Sequence, residues 1–140
     1  MSRGSKSASL AGLFAALADP TRLRLLNLMD GREVCVCYFV EILRQGQPKI
    51  SRHLAYLRKA GVVSARREGK WMHYRILPQA DEAAASILRA VLASMATDKL
   101  MQADVAKLER ACCAPQKLVM PEGAPVPASI VASQERLTKQ

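Results

Sequence analysis

Leu10, Leu13, Phe14 and Leu17 recur at i, i+3, i+4 and i+7 with Ala, Ser and Gly on the opposite face. That spacing is one apolar stripe of an amphipathic helix. Asp19-Pro20 starts a second helix, because Asp caps an N-terminus and Pro suits a first turn. Leu23, Leu26 and Met29 make its buried stripe, and Asp30-Gly31 stops it. The pattern predicts a third helix from about Glu33 to Leu43, with Val36, Phe39, Val40 and Leu43 inward. A polar turn, Arg44 to Gln47, leads to a fourth helix that opens at Pro48 and ends at Gly61. The period then switches from 3.6 to 2: Val62–Arg67 and Lys70–Ile76 read as strands joined at Glu68-Gly69. A long helix is predicted from about Asp81, with Ala84, Ile87, Leu88, Val91, Leu92 and Met95 on one face. Asp98 caps a last helix carrying Met101, Val105, Leu108 and Cys112 on one stripe.

These elements form one unit over residues 1–114, and four of the seven prolines lie beyond it. Residues 115–140 have no sustained periodicity and read as a Pro-rich, disordered tail. A core this small commonly completes its burial by oligomerisation. The stripe from Ala84 to Met95 is broad for a helix packed only on its own domain, which points to a dimer surface.

No apolar run approaches the ~20 residues needed to cross a bilayer, so no membrane partner is expected. Arg3 and Lys6 followed by an apolar stretch ending Ala16-Leu17-Ala18 mimic a secretory signal. The one-sided stripe argues for a structural helix instead, and for a cytoplasmic protein. Its four cysteines are then reduced thiols, suited to ligand or redox chemistry rather than disulfides.

Charge sharpens the picture once it is located. The net charge is +9, and from Gln47 to Arg75 eight Lys/Arg stand against one acid, Glu68. A positive charge concentrated on one short segment favours a polyanion. Helix, glycine-containing turn, helix and hairpin follow in the order of a winged helix-turn-helix, a mainly α fold with a small β-hairpin. In the fourth helix Ile50, Leu54 and Leu57 face inward, leaving Lys49, Ser51, Arg52, His53 and Tyr56 on the other side. A recognition helix needs that layout, since its first turns meet base edges while its apolar stripe docks on the preceding helix. Arg52 suits guanine, Ser51 a base or phosphate, and Gln47 and Lys49 the backbone. Arg66, Arg67 and Lys70 at the hairpin tip would reach neighbouring phosphates or the minor groove.

The stretch Gln47-Pro48-Lys49-Ile50-Ser51-Arg52-His53-Leu54, then Leu57, Ala60-Gly61 and Arg67-Glu68-Gly69-Lys70-Trp71-Met72-His73-Tyr74-Arg75, resembles the ArsR/SmtB family of metalloregulatory repressors. Ala18-Asp19-Pro20-Thr21-Arg22 and Glu33-Val34-Cys35-Val36-Cys37 are its upstream companions, and the resemblance covers about residues 8 to 96. It implies a homodimer built on the first helix and the long helix after the wing. It also implies binding to a double-stranded DNA operator without any cofactor, and release when an inducer binds.

Cys35 and Cys37 fall at the start of the predicted third helix. Residues two apart on an ideal helix point roughly 200° apart. A bound ion would therefore gather the sulfurs only by unwinding that turn, distorting the helix that leads to the DNA reader. A helix N-terminus also lowers a thiol pKa. The resemblance further implies a third cysteine one turn after Cys37, where this chain has Val40. The only other source of a thiolate is Cys112-Cys113. Either one of these joins Cys35 and Cys37, or the adjacent pair leads a site of its own. The only histidines, His53 and His73, lie in the reader and wing, so all-sulfur coordination is expected. As(III) or Sb(III) is the expected inducer, with cadmium, lead or thiol oxidation as alternatives. A thiol reductase using Cys112-Cys113 is the rival from another class. Against it stand the lack of a glycine-rich cofactor loop and of any C-x-x-C.

Overall fold

The computed structural model describes residues 6–113, with side chains described from Ser9 to Ala111. Six helices run in order: α1 (Lys6–Leu17), α2 (Pro20–Leu28), α3 (Val36–Leu43), α4 (Gln47–Lys59), α5 (Glu82–Met95) and α6 (Lys99–Cys113). Three strands, β1 (Val34–Cys35), β2 (Val63–Glu68) and β3 (Trp71–Ile76), form an antiparallel sheet in the order β1-β3-β2. The architecture is a winged helix-turn-helix, as the periodicity predicted. The stretch 115–140, expected to be a disordered tail, lies outside the described residues.

Local chemistry sets the boundaries. The Asp19 carboxylate accepts from the backbone N–H groups of Thr21 and Arg22, closing the start of α2 in front of Pro20. After α4 the chain turns through Gly61 at φ +77°, a left-handed conformation that costs a glycine little. There Val62 N–H donates to the Leu57 carbonyl and Gly61 N–H to that of Arg58, a C-terminal cap that aims the chain into the wing. Asp98 caps α6 through the Met101 N–H, as its position before the last helical pattern predicted.

The third helix differs from its expected bounds. Residues 34 and 35 are extended and pair with the wing, Val34 opposite Tyr74 and Cys35 opposite His73, so α3 begins only at Val36. The sheet thus has a third strand beyond the predicted hairpin. Tertiary pairing overrides the helical period here because Val34 and Cys35 are fully buried against the core. In α1, Leu13, Ala16 and Leu17 are buried while Phe14, assigned to the same stripe, is 54% exposed.

Leu25, Leu26 and Leu28 of α2, Phe39 and Ile42 of α3, and Ile50, Leu54 and Leu57 of α4 meet in one core. Helix α6 packs across α2 and α3. Its Asp104, fully buried, accepts both arms of the Arg24 guanidinium at 2.8 and 2.9 Å. Asn27 donates to the Met101 carbonyl at 2.9 Å one turn away. On α5, Leu88 and Met95 are buried, whereas Ala84, Ile87, Val91 and Leu92 are only partly covered.

Candidate nucleic-acid interface and thiol pair

Helix α4 buries Ile50, Leu54 and Leu57 and leaves Gln47, Lys49, Ser51 and Arg52 exposed in its first turns. These four reader candidates share one solvated surface at the N-terminal end of the helix. His53 and Tyr56 are engaged elsewhere. The Arg22 guanidinium lies 4.2 Å above the Tyr56 ring and 3.3 Å from His53 Nδ1. Its Nε and a terminal nitrogen donate to the Ala16 and Ala15 carbonyls at 2.8 and 2.9 Å. Arg22 therefore ties the open end of α1 to the reader helix. His53, also 3.9 Å from an Asp19 oxygen, faces this junction more than the open surface. Burial holds its pKa below 6.5, with Arg22, Lys49 and Arg52 adding to the effect against the pull of Asp19.

In the wing, Glu68 pairs with Trp71, leaving Gly69-Lys70 as the two-residue turn, with Gly69 at φ +60°. Lys70 is exposed at this tip, its ammonium 5.3 Å from the Trp71 ring. Arg67 is exposed and donates to the Gly69 carbonyl at 3.2 Å. Arg66 sits further back, opposite His73, and grips Glu33 with contacts of 2.6 and 3.2 Å. That grip holds the Glu33 carboxyl below its ordinary value of 4.5, against the opposing effect of burial. Arg22 and Glu33 were not among the residues singled out from the sequence. Arg22 stood in the motif after Pro20 and Glu33 in the motif that holds Cys35 and Cys37, but neither signal names a partner.

Cys37 Sγ donates to Cys35 Sγ across 3.2 Å, and both residues are buried. The expectation that the sulfurs point apart fails because Cys35 is not helical. It is the extended N-cap of α3, at φ −73° and ψ 143°, so no turn need unwind to bring them together. The Cys37 S–H lowers the Cys35 pKa from 9.0 to about 7, with the Cys37 and Val36 backbone N–H groups assisting against burial. The same hydrogen bond and burial raise the Cys37 thiol. The pair thus favours one shared proton, a thiolate backed by a thiol. Among the described residues no third Cys, His, Asp or Glu completes a metal-binding group with them. Cys112 and Cys113 close α6, and their side chains lie outside the described residues.

An exposed basic helix held on a helix-turn-helix core, flanked by a basic wing, defines a protein of the transcriptional-regulator class. Residues 19–65 match the model of the bacterial regulatory proteins of the arsR family, and the chain belongs to that family. It is 49% identical over 77 residues to the arsenical resistance operon repressor of Escherichia coli (strain K12), covering 54% of this chain and 66% of that protein, just under two thirds. A helix-turn-helix-type transcriptional regulator of Methanocaldococcus jannaschii is 47% identical over 68 residues, 48% of this chain and 76% of that one. A solved structure of HlyU from Vibrio cholerae N16961 superposes with a TM-score of 0.56 at 26% identity, over 64% of this chain and 94% of that one.

Proposed function

We propose that the chain is a cytoplasmic, homodimeric repressor that binds a double-stranded DNA operator and releases it when As(III) or Sb(III) is taken by its cysteine thiolates. The observation that carries this reading is the 3.2 Å approach of two buried sulfurs where the wing strand β1 passes into helix α3. Soft ions favour thiolate ligands, and Cys35, with its pKa near 7, offers a thiolate at neutral pH. Cys112 or Cys113 supplies the third sulfur. Similarity to an arsenical resistance operon repressor supports the choice of inducer.

Gln47, Lys49, Ser51 and Arg52 read the duplex, Tyr56 and His53 border it beside Arg22, and Arg66, Arg67 and Lys70 hold phosphates. The partly covered α5 residues Ile87, Val91 and Leu92, with exposed Phe14 of α1, form the dimer surface. A ligand held by both sulfurs joins strand β1 to the start of α3, whose far end feeds the turn into α4.

The test uses a duplex selected from a random-sequence pool by the protein itself. Fluorescence anisotropy follows its release by arsenite, antimonite, cadmium, lead and zinc in parallel. Release by arsenite and antimonite, lost in Cys35→Ser and in Cys37→Ser, is expected; release by cadmium or lead alone overturns the inducer. In Cys112→Ser/Cys113→Ser a weakened response supports a mixed site. Complete loss there, with Cys35→Ser and Cys37→Ser still inducible, assigns sensing to the adjacent pair.

A further inference from the structure

His73, only 3% exposed, lies directly across the sheet from Cys35 on one side and from Arg66 on the other. Residues opposite one another in a sheet project from the same face, so Cys35, His73 and Arg66 form one row from the thiol pair to the wing. Its Nδ1 is 4.0 Å from Glu33 Oε1 and its Nε2 3.4 Å from Glu68 Oε2, without hydrogen-bond alignment at Nε2. Arg66 closes this cluster from outside, gripping Glu33 through two nitrogens and reaching Glu68 at 3.4 Å. Glu33 stands two residues before Cys35, at the entry to β1. Arg66 is half exposed and is one of the basic residues of the wing.

A guanidinium binds carboxylate and phosphate with the same fork. We propose that Arg66 is a shared cation, held by Glu33 beside the thiol pair in the free protein and by a DNA phosphate in the complex. Glu33 is then the positioning residue that couples the wing to the thiols. Loss of Arg66 to a phosphate releases Glu33 and loosens the entry to β1 around Cys35. By reciprocity, anything at the thiols that favours the Glu33–Arg66 bridge weakens DNA binding. The inference rests on the DNA-binding part of the proposed function but not on arsenite being the inducer.

The experiment measures how fast dithiodipyridine modifies Cys35 and Cys37 in a Cys112→Ser/Cys113→Ser background, with and without saturating selected duplex. In that parent, duplex should accelerate modification about fivefold or more, the low end of ordinary coupling between sites. In Glu33→Gln, which still binds duplex, the rate should be fast with or without DNA; Glu33→Asp should restore part of the DNA effect. A parent rate indifferent to duplex overturns the proposal, as does Glu33→Gln responding like the parent. A parallel arsenite titration on the chain with all four cysteines, with and without Glu33→Gln, separates the two readings. If arsenite fails to bind while Glu33→Gln abolishes the DNA effect, the coupling stands and the inducer is wrong. If arsenite releases duplex equally from the four-cysteine chain and its Glu33→Gln variant, the coupling is wrong and the inducer stands.

Discussion

Cys35 and Cys37 stand on opposite sides of a structural boundary, one in strand β1 and one in the first turn of α3, with their sulfurs 3.2 Å apart. The boundary explains the approach. An extended residue followed by a helical one turns the two side chains towards the same side, which an unbroken helix would not do. Both residues are nearly or fully inaccessible, so the thiolate at Cys35 depends on its hydrogen bonds rather than on water. A ligand that joins the sulfurs would bridge the wing sheet and the helix-turn-helix at once.

That dependence is measurable. Replacing Cys37 by Ala removes the main donor to the Cys35 sulfur, so the Cys35 pKa should rise from about 7 towards or past its ordinary 9.0. In a Cys112→Ser/Cys113→Ser background, ultraviolet absorbance should show one thiolate forming as pH rises through about 7. Cys37→Ala should move that step to higher pH. An unmoved step would mean that the helix start, not the neighbouring thiol, stabilises the Cys35 thiolate.

A second expectation concerns the reader. Arg52 is exposed on the free face of α4, so Arg52→Ala should weaken binding to the selected duplex by about 1–3 kcal/mol. Lys70 lies at the wing tip, where a phosphate contact carries no sequence information. Lys70→Ala should weaken all duplexes alike and flatten the salt dependence by about one phosphate contact. Salt titrations on selected and unrelated duplexes distinguish the two effects, and wild-type affinity in Arg52→Ala would remove α4 from the groove.

Much of this architecture is legible in the sequence because its signals are local. The stripe Ile50, Leu54, Leu57 names α4 and its exposed face; Asp19-Pro20 and Asp98 name helix starts. Strand β1 is not legible, since two residues show no period and their partners, Tyr74 and His73, are distant in the chain. Taking residues 33–35 as helix then misdirected the geometry of the cysteines, though not their identity. Phe14 shows the converse limit: its spacing puts it on a stripe, but the core of one chain covers only Leu13, Ala16 and Leu17. The Arg22 and Glu33 contacts escape the sequence because a charged side chain does not announce which distant group it will meet.

Arg22 gives a third prediction. Its guanidinium satisfies two carbonyls at the end of α1 while supporting His53 and Tyr56 on α4. Hydrogen bonds from a charged donor contribute about 1.5–3 kcal/mol, so Arg22→Ala should lower stability by about 2 kcal/mol. Arg22→Lys should recover little, because a single ammonium cannot reproduce the fork. The same cluster predicts a pH dependence. His53 is held below 6.5 in the fold, mainly by burial, so the unfolded chain binds its proton more readily. The stability this contributes is present above pH 6.5 and lost as pH falls through and below it. Urea unfolding on either side of that pH should show the loss, and His53→Gln should reduce it.

The last prediction concerns α6, which carries Cys112 and Cys113 to their place in the fold. Asp104 is fully buried, and its paired contact with Arg24 is the only ion pair found for it among the described residues. Removing one partner of such a pair strands a buried charge and costs about 3–5 kcal/mol. Arg24→Met should therefore lower stability by about that amount, although methionine replaces much of the apolar stem. Arg24→Met with Asp104→Leu removes both charges and should recover most of the loss, because the site is otherwise lined by packed helices. If Cys112 or Cys113 completes the thiol site, Arg24→Met should also weaken arsenite binding through loss of α6 docking, and the double variant should regain it. Denaturant unfolding and arsenite titration on the same samples provide the check. A double variant as unstable as Arg24→Met would show that the arginine stem, rather than the neutralised carboxylate, fastens α6 to α2.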